Sequence, residues 1–146
     1  MSGVTIIEMI VIVAIIAILS GIGFLDLRPL HNEALASAHD FAGTVKQARA
    51  RAMATTSAYR LVYQAPDRIA VQWRTVCGGS QPWVDETRYD LELRDGTALL
   101  AVEDGTQLLC FNSRGITEQS PSLTFEDRRG RTAHVEVLAG GAVRGP

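Results

Sequence analysis

The most constraining feature of the chain is a long apolar run near its N-terminus, at residues 9–25. Only Ser20, Gly21 and Gly23 interrupt its larger apolar side chains, and no charged residue follows Glu8 until residue 26. A helix needs roughly 20 consecutive apolar residues to cross a bilayer core about 30 Å thick. Counted from residue 4 to residue 25, the run meets this requirement and predicts a membrane helix.

Glu8 is the one acidic residue close to the start of this run. A carboxylate that faces lipid is energetically costly, and such residues usually have a partner and a function. We therefore expect Glu8 to pair with a cation. The alternative is that Glu8 lies at the level of the lipid headgroups and is solvated.

The position of Gly3 argues against an ordinary secretory signal peptide. Such a peptide carries its small-residue cleavage site after the apolar core, whereas Gly3 precedes the apolar run. A protease that cuts after Gly3 would leave the helix on the mature protein. It would also create a new α-amino group on Val4, close to Glu8.

The stretch Gly3-Val4-Thr5-Ile6-Ile7-Glu8, followed by an apolar helix, resembles the signature of type IV prepilins and of the pseudopilins of type II secretion. The resemblance implies that a prepilin peptidase cleaves between Gly3 and Val4 and N-methylates Val4. It also implies that Thr5 and Glu8 serve assembly, with Glu8 paired with the Val4 ammonium of the same or a neighbouring subunit. A carboxylate in an apolar bundle is tolerated when it has such a partner.

The same resemblance implies an α+β pilin fold, in which a long N-terminal helix, half membrane-embedded and half amphipathic, packs on an antiparallel β-sheet head. The expected parts are a leader at residues 1–3, a transmembrane or filament-core helix at 4–27, an amphipathic half at 28–56 and a head at 57–146. The chain would cross the bacterial inner membrane once, with its head in the periplasm or outside the cell. Its partners would be the peptidase, the membrane before assembly, and other pilins or pseudopilins in a filament.

A second helix is predicted at residues 30–55, after an interruption at Pro29. Apolar side chains recur there mostly at steps of three and four residues, as in an amphipathic helix. This stripe comprises Leu30, Ala34, Leu35, Ala38, Phe41, Ala42, Val45, Ala48 and Ala52. The stripe is rich in alanine, which favours close approach of a sheet. An ordinary core helix would show the same pattern, but residues 37–41 and 46–54 resemble the minor pseudopilin H and FimT group, which carries an Ala-Arg-x-x-Ala run there.

The rest of the chain has the periodicity of short strands. Residues 59–63 and 69–73 read as a hairpin whose turn contains Pro66, and residues 76–82 read as a flexible loop. Further strands are predicted at residues 88–93, 99–102, 108–111, 123–125 and 134–138. Gly turns separate them at Asp95-Gly96, Asp104-Gly105, Arg114-Gly115 and Arg129-Gly130. Regular short strands with such turns predict an antiparallel, mostly β head.

Cys77 and Cys110 are the only cysteines. In a protein whose soluble part lies outside the cytoplasm, an isolated pair favours a disulfide. The alternative is two buried free thiols.

The C-terminal part also resembles the H and FimT group, through Phe111-Asn112-Ser113-Arg114-Gly115 and Gly141-Ala142-Val143-Arg144. Ala142 stands where the first Arg of that group's Gly-Arg-x-Arg ending would be. In some relatives the terminal arginines bind DNA during uptake. The residues that could attract phosphate here are Arg114, Arg128, Arg129, Arg131 and Arg144. The alternative is a set of solvated loop arginines.

The sequence offers little support for catalysis. It contains no phosphate-binding loop and no dinucleotide fingerprint, and no His or Cys pair has the spacing of metal ligands. We therefore predict a protein without catalytic residues, cofactor or metal. The function that fits best is a minor pilin or pseudopilin subunit of a type IV pilus or type II secretion pseudopilus, and the alternative is a minor pilin that acts as a DNA receptor in transformation.

Overall fold

The structure, a computed structural model, describes residues 6–23 and 32–145. These belong to two units, which divide between His31 and Asn32. The predicted interruption at Pro29 lies outside the described residues.

The N-terminal unit contains helix α1, Ile6–Gly23. All of its described side chains, at residues 6–17, are exposed within the chain. Ile6 and Ile7 are 82% and 71% exposed. An apolar helix of this kind normally needs apolar surroundings on every side.

Within the described ranges, no helix combines the length and hydropathy of a membrane span. The predicted span at residues 4–27 stays a prediction.

The second unit begins with helix α2, Glu33–Thr55. Asn32 caps it, because its backbone is extended and its Oδ1 accepts a hydrogen bond of 3.0 Å from the Leu35 N–H. Asparagine is among the best N-cap residues, since its side chain satisfies a backbone donor of the first turn. The helix thus begins after Asn32 and ends at Thr55 as predicted, and residues 30 and 31 of the predicted helix lie outside the described residues.

The buried face of α2 follows the predicted stripe closely. It comprises Ala34, Ser37, Ala38, Phe41, Ala42, Thr44, Val45, Ala48 and Ala52. Leu35 was predicted to belong to this face but is 38% exposed. The prediction was wrong there because Leu35 lies at the edge of the stripe. Sequence periodicity alone does not tell whether a side chain at the edge faces the core or solvent.

Two antiparallel sheets pack against α2, where the sequence suggested a single head sheet. The first contains β1 (Ala58–Gln64), β2 (Arg68–Arg74), β3 (Val84–Asp85), β4 (Leu91–Glu92) and β6 (Gln107–Phe111). Its order is β3-β2-β1-β6, and β4 also pairs with β2. The second contains β5 (Ala98–Leu99), β7 (Ser122–Glu126), β8 (Thr132–Val137) and β9 (Val143–Arg144), in the order β5-β7-β8-β9.

The strand predictions are confirmed best where the strands are longest. The β1–β2 hairpin is antiparallel over its full length, and all four predicted Gly turns lie between strands. The predicted strand at residues 88–93 is mostly wrong, since a 3-10 helix occupies Thr87–Tyr89 and only Leu91–Glu92 pairs. The predicted strand at residues 99–102 is also too long, because Ala101 has a φ of 57°, which no strand permits.

The hydrophobic core lies between α2 and both sheets, because the helix contacts β1 and β6 of the first sheet and β7 and β8 of the second. Phe41 of α2 packs against Phe125 of β7 with ring centroids 5.6 Å apart. Phe111 of β6 is fully buried in the same cluster. The predicted class, an α+β chain with an N-terminal helix and antiparallel sheets, is confirmed.

Candidate functional site

The predicted processing and assembly residues lie at the N-terminus. Gly3, Val4 and Thr5 fall outside the described residues. Glu8 lies near the start of α1, at an exposed position. The pairing of Glu8 with the Val4 amine therefore stays a prediction.

The structure joins Cys77 to Cys110 in a disulfide, with their Cα atoms 6.2 Å apart. Cys110 lies in β6 between Leu109 and Phe111, which both belong to the core. Side chains alternate along a strand, so Cys110 projects from the opposite face of the sheet. The disulfide thus attaches the loop between β2 and β3 to the face that α2 does not cover.

Two arginines and a tryptophan hold the same loop. The guanidinium carbons of Arg60 and Arg74 lie 4.3 and 4.0 Å from the centroid of the Trp83 ring, within the range of cation–π attraction. Arg74 also donates hydrogen bonds to three carbonyl oxygens of the loop, those of Val76, Cys77 and Gln81. Partial burial, together with the nearby Arg74 charge, lowers the pKa of Arg60.

The sequence predicted only a flexible loop at residues 76–82. It missed the contacts of Arg60 and Cys110 because these residues come from strands that the loop meets only in the folded chain, whereas Arg74 directly precedes the loop. Trp83, next to Pro82, was the one signal that the loop packs against something.

A groove of about 400 Å³ lies beside the disulfide. It is lined by Cys77, Gly78, Gln107, Cys110, Asn112, Ile116, Glu118 and Gln119. The Gln119 Oε1 accepts a hydrogen bond of 2.8 Å from the backbone N–H of Cys110. This N–H is therefore not available to pair with a strand of another chain.

Over residues 6–23 and 32–145, no three His, Cys, Asp or Glu side chains are grouped so as to hold a metal ion.

Three of the five predicted phosphate-attracting arginines are paired with carboxylates. Arg128 contacts Asp95 at 2.8 Å, Arg131 contacts Asp127 at 2.6 Å, and Arg144 approaches Glu136 to 3.8 Å. These acids offset the positive charge that a phosphate would need. No equivalent ion pair involves Arg114 or Arg129 within the described part of the chain.

Asp127 organises the turn between β7 and β8. Its Oδ1 accepts the backbone N–H groups of Arg129 and Arg131, and its Oδ2 accepts the Arg131 Nε–H at 2.7 Å. Burial acts to raise the pKa of Asp127, but the hydrogen bonds from Arg131 and Arg129 outweigh it and hold that pKa below its usual value. The structure thus gives Arg131 a structural partner inside its own turn.

Sequence reasoning missed Arg49, on the edge of the buried face of α2. Its Nε is buried and has no hydrogen-bond partner. A Cβ at Gly115 would lie 3.1 Å from the Arg49 Cγ, and one at Gly141 would lie 3.1 Å from its Cδ. The side chain therefore passes between the turns that contain these two glycines. The Ala-Arg-x-x-Ala run was the available signal, but it does not reveal burial.

No protein-family model matches the chain, and no curated protein matches it. Solved structures do. The minor pseudopilin EpsH from the type 2 secretion system of Vibrio cholerae superposes with a TM-score of 0.59 at 18% identity, over 79% of this chain and 97% of that one. A second structure of the same pseudopilin gives a TM-score of 0.57 at 18% identity, over 77% and 92%. The chain therefore has a pseudopilin-like fold.

Proposed function

We propose that this chain is a minor pilin or pseudopilin, a structural subunit that assembles with other pilins into a type IV pilus or a type II secretion pseudopilus. The observation that carries this proposal is the fold, which matches 97% of a solved minor pseudopilin chain with a TM-score of 0.59. The prepilin-like stretch from Gly3 to Glu8 supports it independently, because that stretch lies directly before an apolar helix.

In this proposal residues 4–27 anchor the chain in the inner membrane before assembly, and other pilin helices cover them afterwards. The described side chains of α1 are exposed on all sides, which fits a helix that lipid or other subunits surround. Prepilin peptidase removes residues 1–3 and methylates Val4. The new Val4 ammonium is then a cation with which Glu8 pairs in the apolar bundle.

The proposal assigns no catalytic role. Its mechanism is polymerisation through α1, with the head on the filament surface, and needs no active site. The acidic groups with the clearest structural roles, such as Asp127, bind backbone and arginine partners in turns.

A DNA receptor role has less support. Three of its five candidate arginines are paired with Asp95, Asp127 and Glu136, which leaves Arg114 and Arg129 as the remaining candidates. Retardation of duplex DNA by the chain at low salt, abolished when both are changed to Ala, would favour this alternative.

Co-sedimentation with filaments tests the main proposal. Cells that express the full chain with its own assembly genes are sheared, and the filament fraction is probed for the chain. We expect the wild-type chain in that fraction. We expect the Gly3→Phe variant to remain in the membrane with the mass of the uncleaved chain. If the wild-type chain is absent from filaments that are otherwise normal, the proposal is wrong.

A further inference from the structure

Arg49 has an unusual environment for a cation on a helix at the edge of a core. Its residue is only half-buried, yet its Nε is inaccessible and makes no hydrogen bond. In the part of the chain that the structure describes, no carboxylate lies within ion-pair distance of its guanidinium. A partly buried guanidinium without an acceptor is unfavourable, because its lost hydration is not replaced.

The surrounding backbone holds the Arg49 stem in place. Gly115 and Gly141 have φ values of 70° and 79°, and a Cβ at either position would press against the stem. At Gly141 such a Cβ would also lie 2.6 Å from the Cε1 of Phe111, which is fully buried. The side chain therefore has little freedom to withdraw from its position between the two turns.

The two Nη atoms remain accessible at the end of this passage, because the Nε is the one Arg49 atom that is both buried and unpartnered. They present two donors in a fixed plane, which is the arrangement that matches the two oxygens of a carboxylate. A carboxylate that binds Arg49 must therefore approach the end of the guanidinium, where the two Nη atoms lie.

Apolar side chains lie beside this site. Met53 is one turn further along α2 and contacts the Gly115 turn, and Ile116 follows that turn. They are 45% and 46% exposed. Methionine and arginine are enriched in protein interfaces. The surroundings of Arg49 thus favour a protein partner.

We propose that Arg49 binds a side-chain carboxylate of another subunit in the filament, with Met53 and Ile116 in apolar contact with that subunit. This inference rests on the proposed function. It adds a contact of the head to the contacts that α1 is expected to make. The arriving carboxylate accepts hydrogen bonds from the two Nη groups of Arg49, and the held stem lowers the entropy cost of forming the pair.

The test compares three variants of the full chain in cells that assemble filaments. Arg49→Met keeps an apolar stem between Gly115 and Gly141 but removes the charge. Arg49→Lys keeps a cation without the planar fork. Lys46→Met removes an exposed cation one turn earlier on the same helix and serves as the matched control.

We expect the amount of Arg49→Met chain in sheared filaments to fall at least about tenfold, because the loss of one partner of a buried charge pair weakens binding by more than that. Arg49→Lys should retain an intermediate amount, and Lys46→Met should match the wild type. The unfolding temperatures of all variants, measured on the full chain in detergent, should stay within a few degrees of the wild type.

Wild-type incorporation of Arg49→Met would overturn the inference and leave the proposed function intact. Equal loss of both Arg49 variants, with lowered unfolding temperatures, would also overturn it by showing that the side chain only stabilises the head. Loss of duplex-DNA retardation in Arg49→Met, together with normal incorporation into filaments, would overturn the inference and identify a nucleic-acid partner instead. Absence of the wild-type chain from filaments would reject the proposed function and this inference together.

Discussion

At the scale of single residues, Gly141 determines how closely the C-terminal turn approaches the core. The turn is closed by a hydrogen bond of 2.8 Å from the Gly141 N–H to the Leu138 carbonyl. Its φ of 79° lies in the left-handed region, which favours glycine. Because Phe111 and Arg49 lie against its Cα, the position requires glycine for space as well as for conformation.

We therefore predict that Gly141→Ala destabilises the head by about 2–5 kcal/mol, the sum of left-handed strain and overpacking against Phe111. Gly105→Ala is the matched control, since its φ is 76° but no atom lies within 4 Å of the added Cβ. It should cost only about 1–2 kcal/mol. Denaturant unfolding of the full chain in detergent measures both, and equal losses would contradict the packing argument.

Asp127 gives a second prediction, because its folded-state pKa is lowered by hydrogen bonds from Arg131 and Arg129 that outweigh its burial. A carboxyl group with a lowered folded pKa stabilises the fold above its unfolded pKa of about 3.9, and this stabilisation is lost as the pH falls through the folded pKa. Asp127→Asn should therefore lower the unfolding temperature at pH 7 and reduce its decline between pH 5 and pH 2.

Asp95→Asn is the control for this experiment. Asp95 pairs with Arg128, but both side chains are largely exposed, and such pairs contribute little to stability. Its unfolding temperature should follow the wild type across the same pH series. An unchanged acid profile in Asp127→Asn would contradict the assigned role of the β7–β8 turn.

At the scale of elements, the loop between β2 and β3 depends on contacts that are distant in sequence. Its disulfide partner Cys110 is 33 residues away from Cys77, and Trp83 stacks with Arg60 from β1. The loop therefore stabilises the first sheet by linking β2 to β6 across the face opposite α2.

Removing the disulfide should lower the free energy of unfolding by about 4 kcal/mol, because a cross-link closing a loop of this length restricts the unfolded chain. The measurement is denaturant unfolding of the full chain with and without reductant. The double variant Cys77→Ser, Cys110→Ser should be insensitive to reductant and match the reduced wild type. If reductant leaves the wild type unchanged, the disulfide is not present in the folded protein.

At the scale of the whole molecule, local patterns predicted the architecture better than the site. The period of α2 identified most of its buried face, and the predicted Gly turns lie between strands, because both depend on nearby residues. The division into two sheets could not be predicted, since it depends on β6 pairing with β1 rather than with β7. The acid partners of Arg128 and Arg144, and the position of Arg49 between two turns, likewise arise only from tertiary packing.

The proposed assembly predicts that a substitution at Glu8 affects filament formation but not membrane insertion. Glu8→Ala should leave insertion intact, because it removes a polar group from an apolar helix, and should strongly reduce incorporation into filaments. Glu8→Asp keeps the charge and serves as the control, with partial incorporation. Membrane fractionation and filament shearing measure the two steps, and normal incorporation of Glu8→Ala would contradict the pairing with Val4.

The N-terminus of the mature chain tests the central claim most directly. We expect mass spectrometry of the chain purified from membranes or filaments to find N-methylated Val4 as the first residue, with the apolar helix retained. An intact Met1, or a cut beyond residue 25 that releases the head, would contradict the account.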